Sequence, residues 1–313
     1  MADMTYRHLG DSGLMVSTVG LGCNNFGMRI DAAATERVVG AALEHGITMF
    51  DTSDSYGDSE VFLGKALGSR RDEVVLATKF GSDLRGANGP DWGARGSRRY
   101  IRKAVERSLA RLCTDYIDLY QIHMPDPSTP IEETLSALSD LVHEGKVRYI
   151  GNSNFAGWQI ADADWIARTT GSVRFVSAQN HYNLIEREAE TDVLPACARF
   201  GLGQLPYFPL ASGLLTGKYQ RGVAAPAEGR IAAWHMDSML SDTNFDKVDA
   251  LSAFAVERGL SLLQIALGGL ASRPTVASVI AGATSPEQII ANVEAGLWSP
   301  SAEDLSAIEA ALR

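Results

Sequence analysis

The sequence predicts an α/β fold of the (β/α)8 (TIM) barrel type, and three observations carry that prediction. Eight short apolar runs rich in β-branched residues alternate with amphipathic stretches of helical length, the pattern of β-α units around a parallel sheet. Polar residues close successive strand runs at positions 51, 79, 123, 153, 179 and 207, at intervals of 28, 44, 30, 26 and 28. A step of that size accommodates one strand, one helix and two short loops. Third, the first strand run leads into "GLGCNNFG" rather than the Gly-x-Gly-x-x-Gly of a doubly wound dinucleotide fold, which would use the same units. Length alone does not decide: 313 residues, 45% hydrophobic, suffice for one large barrel or two ordinary domains.

In chain order, "YRHLGDSGLMVS" reads as a small β-hairpin ahead of the barrel, with "GDSG" as its turn. The strand runs follow as "STVGLGC", "ITMFD", "VVLATKF", "YIDLYQIH", "VRYIGNSN", "FVSAQN", "GQLPYFP" and "VASVIAG". Between them, "TERVVGAALEHG", "YIRKAVERSLARL", "IEETLSALSDLVHEG" and "FDKVDALSAFAVERG" have helical period, and several are closed by glycine. Two insertions break the rhythm, residues 81–97 and about 216–245; both follow strand ends, where the loops of a barrel line its active face. No linker-like composition divides the chain, so residues 1–313 read as one domain.

Composition narrows the function. The net charge is -10 with a pI near 5.1, and basic residues form no run, which argues against a nucleic-acid surface. No apolar run approaches the roughly 20 residues of a membrane helix, and "MADMTYRHLGDSG" lacks a basic-then-apolar leader. A cytoplasmic protein acting on small molecules is the expectation, without a membrane partner. Cys23, Cys113 and Cys197 are odd in number and widely spaced; they read as small core residues rather than disulfide or zinc partners. The oligomeric state stays open, because the apolar stripes fit a barrel's own helix ring.

Asp51, Lys79 and His123 each close a different strand run, and Tyr56 follows in "FDTSDSYGDSE". In a barrel, strand ends converge on one mouth. Singly, each has an ordinary explanation: a turn former, a surface charge, a hydrogen-bonded core histidine, a half-buried aromatic. Together they form a set with chemical sense. A lysine cation lowers the pKa of a neighbouring phenol from its usual value of about 10, an aspartate holds the lysine, and a histidine orients a carbonyl oxygen. Lys79 alone also fits a Schiff-base lyase.

At these positions the sequence resembles the aldo-keto reductase family, through "FDTSDSYG", "VVLATKF", "DLYQIHMPDP", "GKVRYIGNSNF", "AQNHYNL", "YFPLASGLLTGKY" and "EQIIANV", in family order from about residue 5 to 295. The resemblance implies a barrel that binds a nicotinamide cofactor without a Rossmann domain, and reduction of an aldehyde or ketone with Tyr56 as general acid, supported by Lys79 and Asp51, while His123 positions the carbonyl. It also implies cofactor roles. Ser153, Asn154 and Gln179 would hold the carboxamide, and Tyr207 would stack on the nicotinamide. Leu210, Ser212, Gly213, Leu214 and Lys218 would pass the pyrophosphate, and Gly282, Thr284, Ser285, Gln288 and Asn292 would surround the adenosine. NADP(H) is favoured from the family, with NAD(H) open, because Thr284 stands where many relatives carry a basic residue. Ala281, Phe208, Asn152 and Met124 are further departures. Phe26, Met28, Trp92, Met124 and Trp234 are the candidate substrate walls, and Arg85, Arg95 and Arg98 are either anion-recruiting or solvated loop charges. The same pattern is similar to the auxiliary β subunits of potassium channels, in which the cofactor would serve a slow redox sensor.

Overall fold

The computed structural model describes residues 4–226 and 229–312, so residues 227 and 228 of the second insertion lie outside the described residues. Two short strands, β1 (Tyr6–His8) and β2 (Met15–Ser17), pair antiparallel with Tyr6 opposite Ser17. They form the expected hairpin. Gly10 at its turn has φ 60°, and a Cβ there would lie 2.3 Å from the Gly201 carbonyl oxygen, so the turn fits the barrel floor only as glycine.

Eight parallel strands follow: β3 (Val19–Gly22), β4 (Met49–Asp51), β5 (Val75–Phe80), β6 (Ile117–Ile122), β7 (Val147–Ser153), β8 (Phe175–Gln179), β9 (Gly203–Gln204) and β10 (Val279–Gly282). Their order is β10-β3-β4-β5-β6-β7-β8-β9. The sheet curls until its ends meet: Gln204 N–H donates to the Thr275 carbonyl at 2.7 Å, Ala277 N–H to that of Gln204 at 2.9 Å, and Ile280 N–H to that of Pro206 at 3.1 Å. These are the eight strands the sequence predicts. The seventh is only two residues long, because Pro206 and Pro209 have no N–H for a ladder.

Alternation along each strand decides which side chains enter the barrel. In β4, Phe50 joins the outer core beneath the helices while Met49 joins the interior, and in β5, Leu76 and Phe80 point outward while Val75 and Ala77 point inward. The same period turns Asp51 and Lys79 inward. In β6, Tyr120 and Ile122 pack outside and Leu119 inside, which gives Gln121 and His123 the inward phase. Leu9 and Val16 of the hairpin belong to the interior cluster with Met49, Leu119 and Leu205, so the hairpin stoppers the N-terminal mouth with apolar side chains. The polar layer lies toward the other mouth.

Helices cover the sheet where helical periods were expected, including Ala32–Glu44, Arg98–Leu112, Ile131–His143 and Asp242–Arg258. Several begin on side-chain caps, with Asp31, Ser97 and Ser241 accepting from Ala34, Tyr100 and Asn244 amides. Cys23 and Cys197 are buried, as expected of core residues; Cys113 is not. It is exposed at a helix C-terminus with φ 52°, where the chain needs a left-handed residue. Insertion 81–97 has no strand and no helix before Arg98, and is anchored inward by buried Asn88. The other insertion contains the short helix Arg230–Ala233. Among the described residues no single helix is long and apolar enough to cross a membrane; only Asp242–Arg258 and Leu262–Ala271 taken together, bent by 95°, reach that length and composition.

Candidate active site

A buried ion pair forms the base of the site. Lys79 Nζ donates to Asp51 Oδ2 at 2.6 Å and to the Thr52 carbonyl at 2.9 Å, with the lysine side chain fully buried. The other carboxylate oxygen accepts from Gln179 Nε2 at 2.9 Å and from Gln121 Nε2 at 3.3 Å. Burial alone would favour a neutral amine, but the charge of Asp51 and the contact with Tyr56 outweigh it and raise the Lys79 pKa. The lysine is therefore held as a cation. Its nitrogen lies 5.0 Å from the centroid of the Tyr56 ring. Tyr56 is brought there by the turn after β4, where its N–H donates to the Ser53 carbonyl and its own carbonyl accepts from Ser59 N–H. Burial raises the phenol pKa more than Lys79 lowers it. The net direction is thus opposite to that of the lysine acting alone, and the phenol is protonated at neutral pH.

His123 faces Tyr56 edge-on, with ring centroids 5.8 Å apart. Its Nδ1 is within reach of Ser82 Oγ at 2.9 Å, Ser53 Oγ at 3.1 Å and Ser55 Oγ at 3.5 Å. Burial, reinforced by the Lys79 charge, takes its pKa down to about 3, so the ring is neutral. Its carbonyl accepts from Asn154 Nδ2 at 3.0 Å, and Asn154 Oδ1 in turn accepts from the Tyr207 hydroxyl at 2.8 Å.

These groups open onto a cavity of about 670 Å³. Asp51, Tyr56 and His123 line it, together with Ser153, Asn154, Gln179, Tyr207, Leu210, Ser212, Gly213, Lys218, Gly282, Thr284, Gln288, Asn292, Met124 and Trp234. Tyr207 is stacked on His181, 5.4 Å between centroids and 8° from parallel. Segment 208–213 is unusual in its backbone: Phe208, Ala211 and Ser212 have φ of 52°, 46° and 56°, a sparsely populated region that non-glycine residues tolerate where the surroundings enforce it. Beside them Gly213 leaves room for Lys218, whose Nζ would be 2.7 Å from a Cβ there. Thr284 N–H and hydroxyl both donate to Gln288 Oε1, at 2.8 and 3.2 Å.

Other expected residues do not reach the cavity. Phe26 and Leu214 are fully buried in the outer core, and Met28 is 56% exposed. Ser285 stands at the start of helix Pro286–Gly296, outside the lining. Trp92 is 78% exposed and lies against the Arg99 guanidinium, with a left-handed φ of 49°. Arg95 pairs with Asp83 and Asp91, and Arg98 with Asp140, which makes both structural charges. Asn152 finds the local bond expected of a polar strand residue, donating to the Ser177 carbonyl at 3.2 Å.

Residues absent from the sequence reading also converge here. Arg230 donates to Asn24 Oδ1 at 3.1 Å and Asn25 Oδ1 at 2.9 Å, with its guanidinium over the rings of Phe208 and Trp234 at 5.5 and 4.9 Å. It straps the second insertion across the cavity to the loop after β3. Arg29 and Lys218 share the lining. Burial first, then the charge of Arg29, brings the Arg230 pKa down to about 10, and burial followed by Arg29 and Arg230 lowers that of Lys218. Three cations crowd one end of the cavity. No motif surrounds Arg230 in the sequence, and its position inside a long insertion hides it. Gln121 was legible as an inward strand residue; the serines around His123 carried no signal until the loops were seen together.

A buried Asp-Lys pair beneath a tyrosine, beside a neutral histidine at the mouth of a (β/α)8 barrel, defines a class of protein. The sequence pattern of the Aldo/keto reductase family matches residues 18–313, and the chain belongs to that family. Family members act on small carbonyl compounds with nicotinamide cofactors. Among its relatives, a probable voltage-gated potassium channel subunit beta of Oryza sativa subsp. japonica is 38% identical over 304 residues, covering 93% of this chain and 91% of the relative. The oxidoreductase YrpG of Bacillus subtilis is 37% identical, with 93% and 91% covered. An L-glyceraldehyde 3-phosphate reductase of Escherichia coli K12 is 34% identical, with 93% and 87% covered.

Proposed function

We propose that this protein is an NADPH-dependent reductase of small aldehydes or ketones, built as one domain, in which Tyr56 is the general acid. The observation that carries the reading is the convergence of Tyr56, Lys79, Asp51 and His123 on one cavity wall and its base. When bound, a nicotinamide cofactor would supply a hydride to the carbonyl carbon. The chain's own residues handle the oxygen. Neutral His123 donates a hydrogen bond to it, and Tyr56 gives it a proton as negative charge develops. Lys79, kept charged by Asp51, stabilises the phenolate left behind. Balanced, one hydride and one proton convert the carbonyl to an alcohol, and the reverse runs when oxidised cofactor dominates.

The cavity suits the cofactor chemically. Amide and hydroxyl groups of Ser153, Asn154 and Gln179 suit the carboxamide, and Tyr207 offers an aromatic face. Leu210, Ser212, Gly213 and Lys218 would flank the pyrophosphate, with Gly282, Thr284, Ser285, Gln288 and Asn292 around the adenosine. Arg29, Lys218 and Arg230 favour the extra phosphate of NADPH, replacing the basic residue missing at Thr284. Met124 and Trp234 leave an apolar wall that suits a short aldehyde. Lys79, protonated and outside the cavity lining, gives no support to Schiff-base chemistry.

The likeness to channel β subunits favours a second reading, a cofactor-binding sensor with slow turnover. Parallel fluorescence titrations with NADPH and NADH, followed by turnover on small aldehydes, separate the two. Tyr56→Phe is expected to retain cofactor binding and lose at least about 100-fold in kcat; near-normal kcat would sink the assigned acid, and tight binding without wild-type turnover would favour the sensor.

A further inference from the structure

We propose that Ser82 is a positioning residue of this site: its hydroxyl donates to Nδ1 of His123 and so holds the ring proton on Nε2, leaving Nε2 as the donor toward a carbonyl oxygen. The inference rests on the reading of His123 as the group that orients the substrate. A neutral imidazole has one donor and one acceptor nitrogen, and the partner of one decides the role of the other. Among the described residues, the hydrogen-bonding groups around Nδ1 are three hydroxyls: Ser82 at 2.9 Å, Ser53 at 3.1 Å and Ser55 at 3.5 Å.

The three hydroxyls are not equivalent. Ser53 Oγ already accepts from Ser55 N–H at 3.2 Å and lies 2.9 Å from Ser55 Oγ and 3.4 Å from Asp54 Oδ1. Its proton has competing acceptors. Ser82 Oγ has Nδ1 as its one hydrogen-bond partner among the described residues. With Nδ1 protonated, the Ser82 proton would have no acceptor among the described residues; with Nδ1 bare, the bond to the ring is made, and the donor passes to Nε2. Ser82 is the second residue of insertion 81–97, whereas Ser53 belongs to the turn that carries Tyr56. The protonation pattern of the histidine is thereby tied to the placement of a loop outside the barrel.

The test reads the tautomer directly. Full-length protein with 15N-labelled histidine is compared as wild type, Ser82→Ala, Ser53→Ala and Ser82→Thr, and the His123 signals are identified by their loss in His123→Asn. The wild type should give a pyridine-like Nδ1 and a pyrrole-like Nε2 at neutral pH. Ser82→Ala should move both nitrogens toward the values of a mixed tautomer, lower kcat/KM about 3- to 10-fold and leave cofactor Kd unchanged. Ser82→Thr should restore both readouts. Unchanged shifts in Ser82→Ala, or a change confined to Ser53→Ala, would overturn the proposal, as would altered shifts with unaltered kcat/KM. Because the shifts need no turnover, failure of the tautomer assignment is distinguishable from failure of the reductase reading, which wild-type inactivity would reveal.

Discussion

Replacing Lys79 by methionine removes the cation at the base of the site while roughly preserving its volume. The bare attraction between charges 2.6 Å apart is roughly 6 kcal/mol at an effective dielectric of about 20. Most of it offsets the cost of taking both ions out of water, several kcal/mol each. Removing one partner leaves that cost standing. The Asp51 carboxylate, 3% exposed, would keep only the two amide donors Gln179 and Gln121 on its Oδ1. A loss of about 3–5 kcal/mol follows, equivalent to a fall in Tm of about 6 °C for a chain of this length at about 2.1 cal/mol/K per residue. Urea unfolding with midpoints and slopes measured for Lys79→Met, Asp51→Leu and the double variant is the assay. The double variant, with no unpaired charge, should recover most of the loss while remaining inactive. A single-variant loss below about 1 kcal/mol, or a double variant as unstable as the sum of the singles, would refute the reasoning.

Two further outcomes follow from the surrounding groups. Burial, with the Glu60 charge second, raises the Asp54 pKa to about 7, against relief from Arg111, Asn88 and Ser53. The folded state then binds a proton that the unfolded state has lost between about pH 4 and 7, so this group's contribution to stability falls as pH rises through that window. Asp54→Asn should remove the slope, by up to about 4 kcal/mol across it, and parallel stability curves for wild type and variant would contradict the assignment. Arg230→Leu should weaken NADPH binding about 10- to 100-fold more than NADH binding; an equal loss for both cofactors would mean that the residue acts only as the strap to Asn24 and Asn25.

The barrel was legible because β-strand alternation and the 28-residue step are properties of local sequence. The inward phase of Asp51, Lys79 and His123, shared with Met49, Val75, Ala77 and Leu119, appears only in the closed barrel, because β4 and β5 are buried on both faces. Loop side chains were less readable. Trp92 looked like a wall because it sits in a long insertion after a strand end, yet it lies exposed against the Arg99 guanidinium. Phe26 goes the opposite way, fully buried in the outer core rather than facing the cavity. Arg230 was invisible for the opposite reason, since nothing in its neighbourhood predicts that four residues of helix would dock it onto Asn24 and Asn25. Net pKa direction was also beyond the sequence, because the depth of burial around Tyr56 is a property of the closed barrel.

The stoppered floor has a consequence for how such a chain diversifies. Leu9, Gly10 and Val16 secure one pole, and the cavity groups lie at the other. Sites so far apart contribute to free energy nearly independently. Mutational drift in the rim, at Met124, Arg230 or Trp234, is therefore free to re-tune which molecules are accepted without eroding the foundation, and a reinforcing change below adds tolerance for costly experiments above.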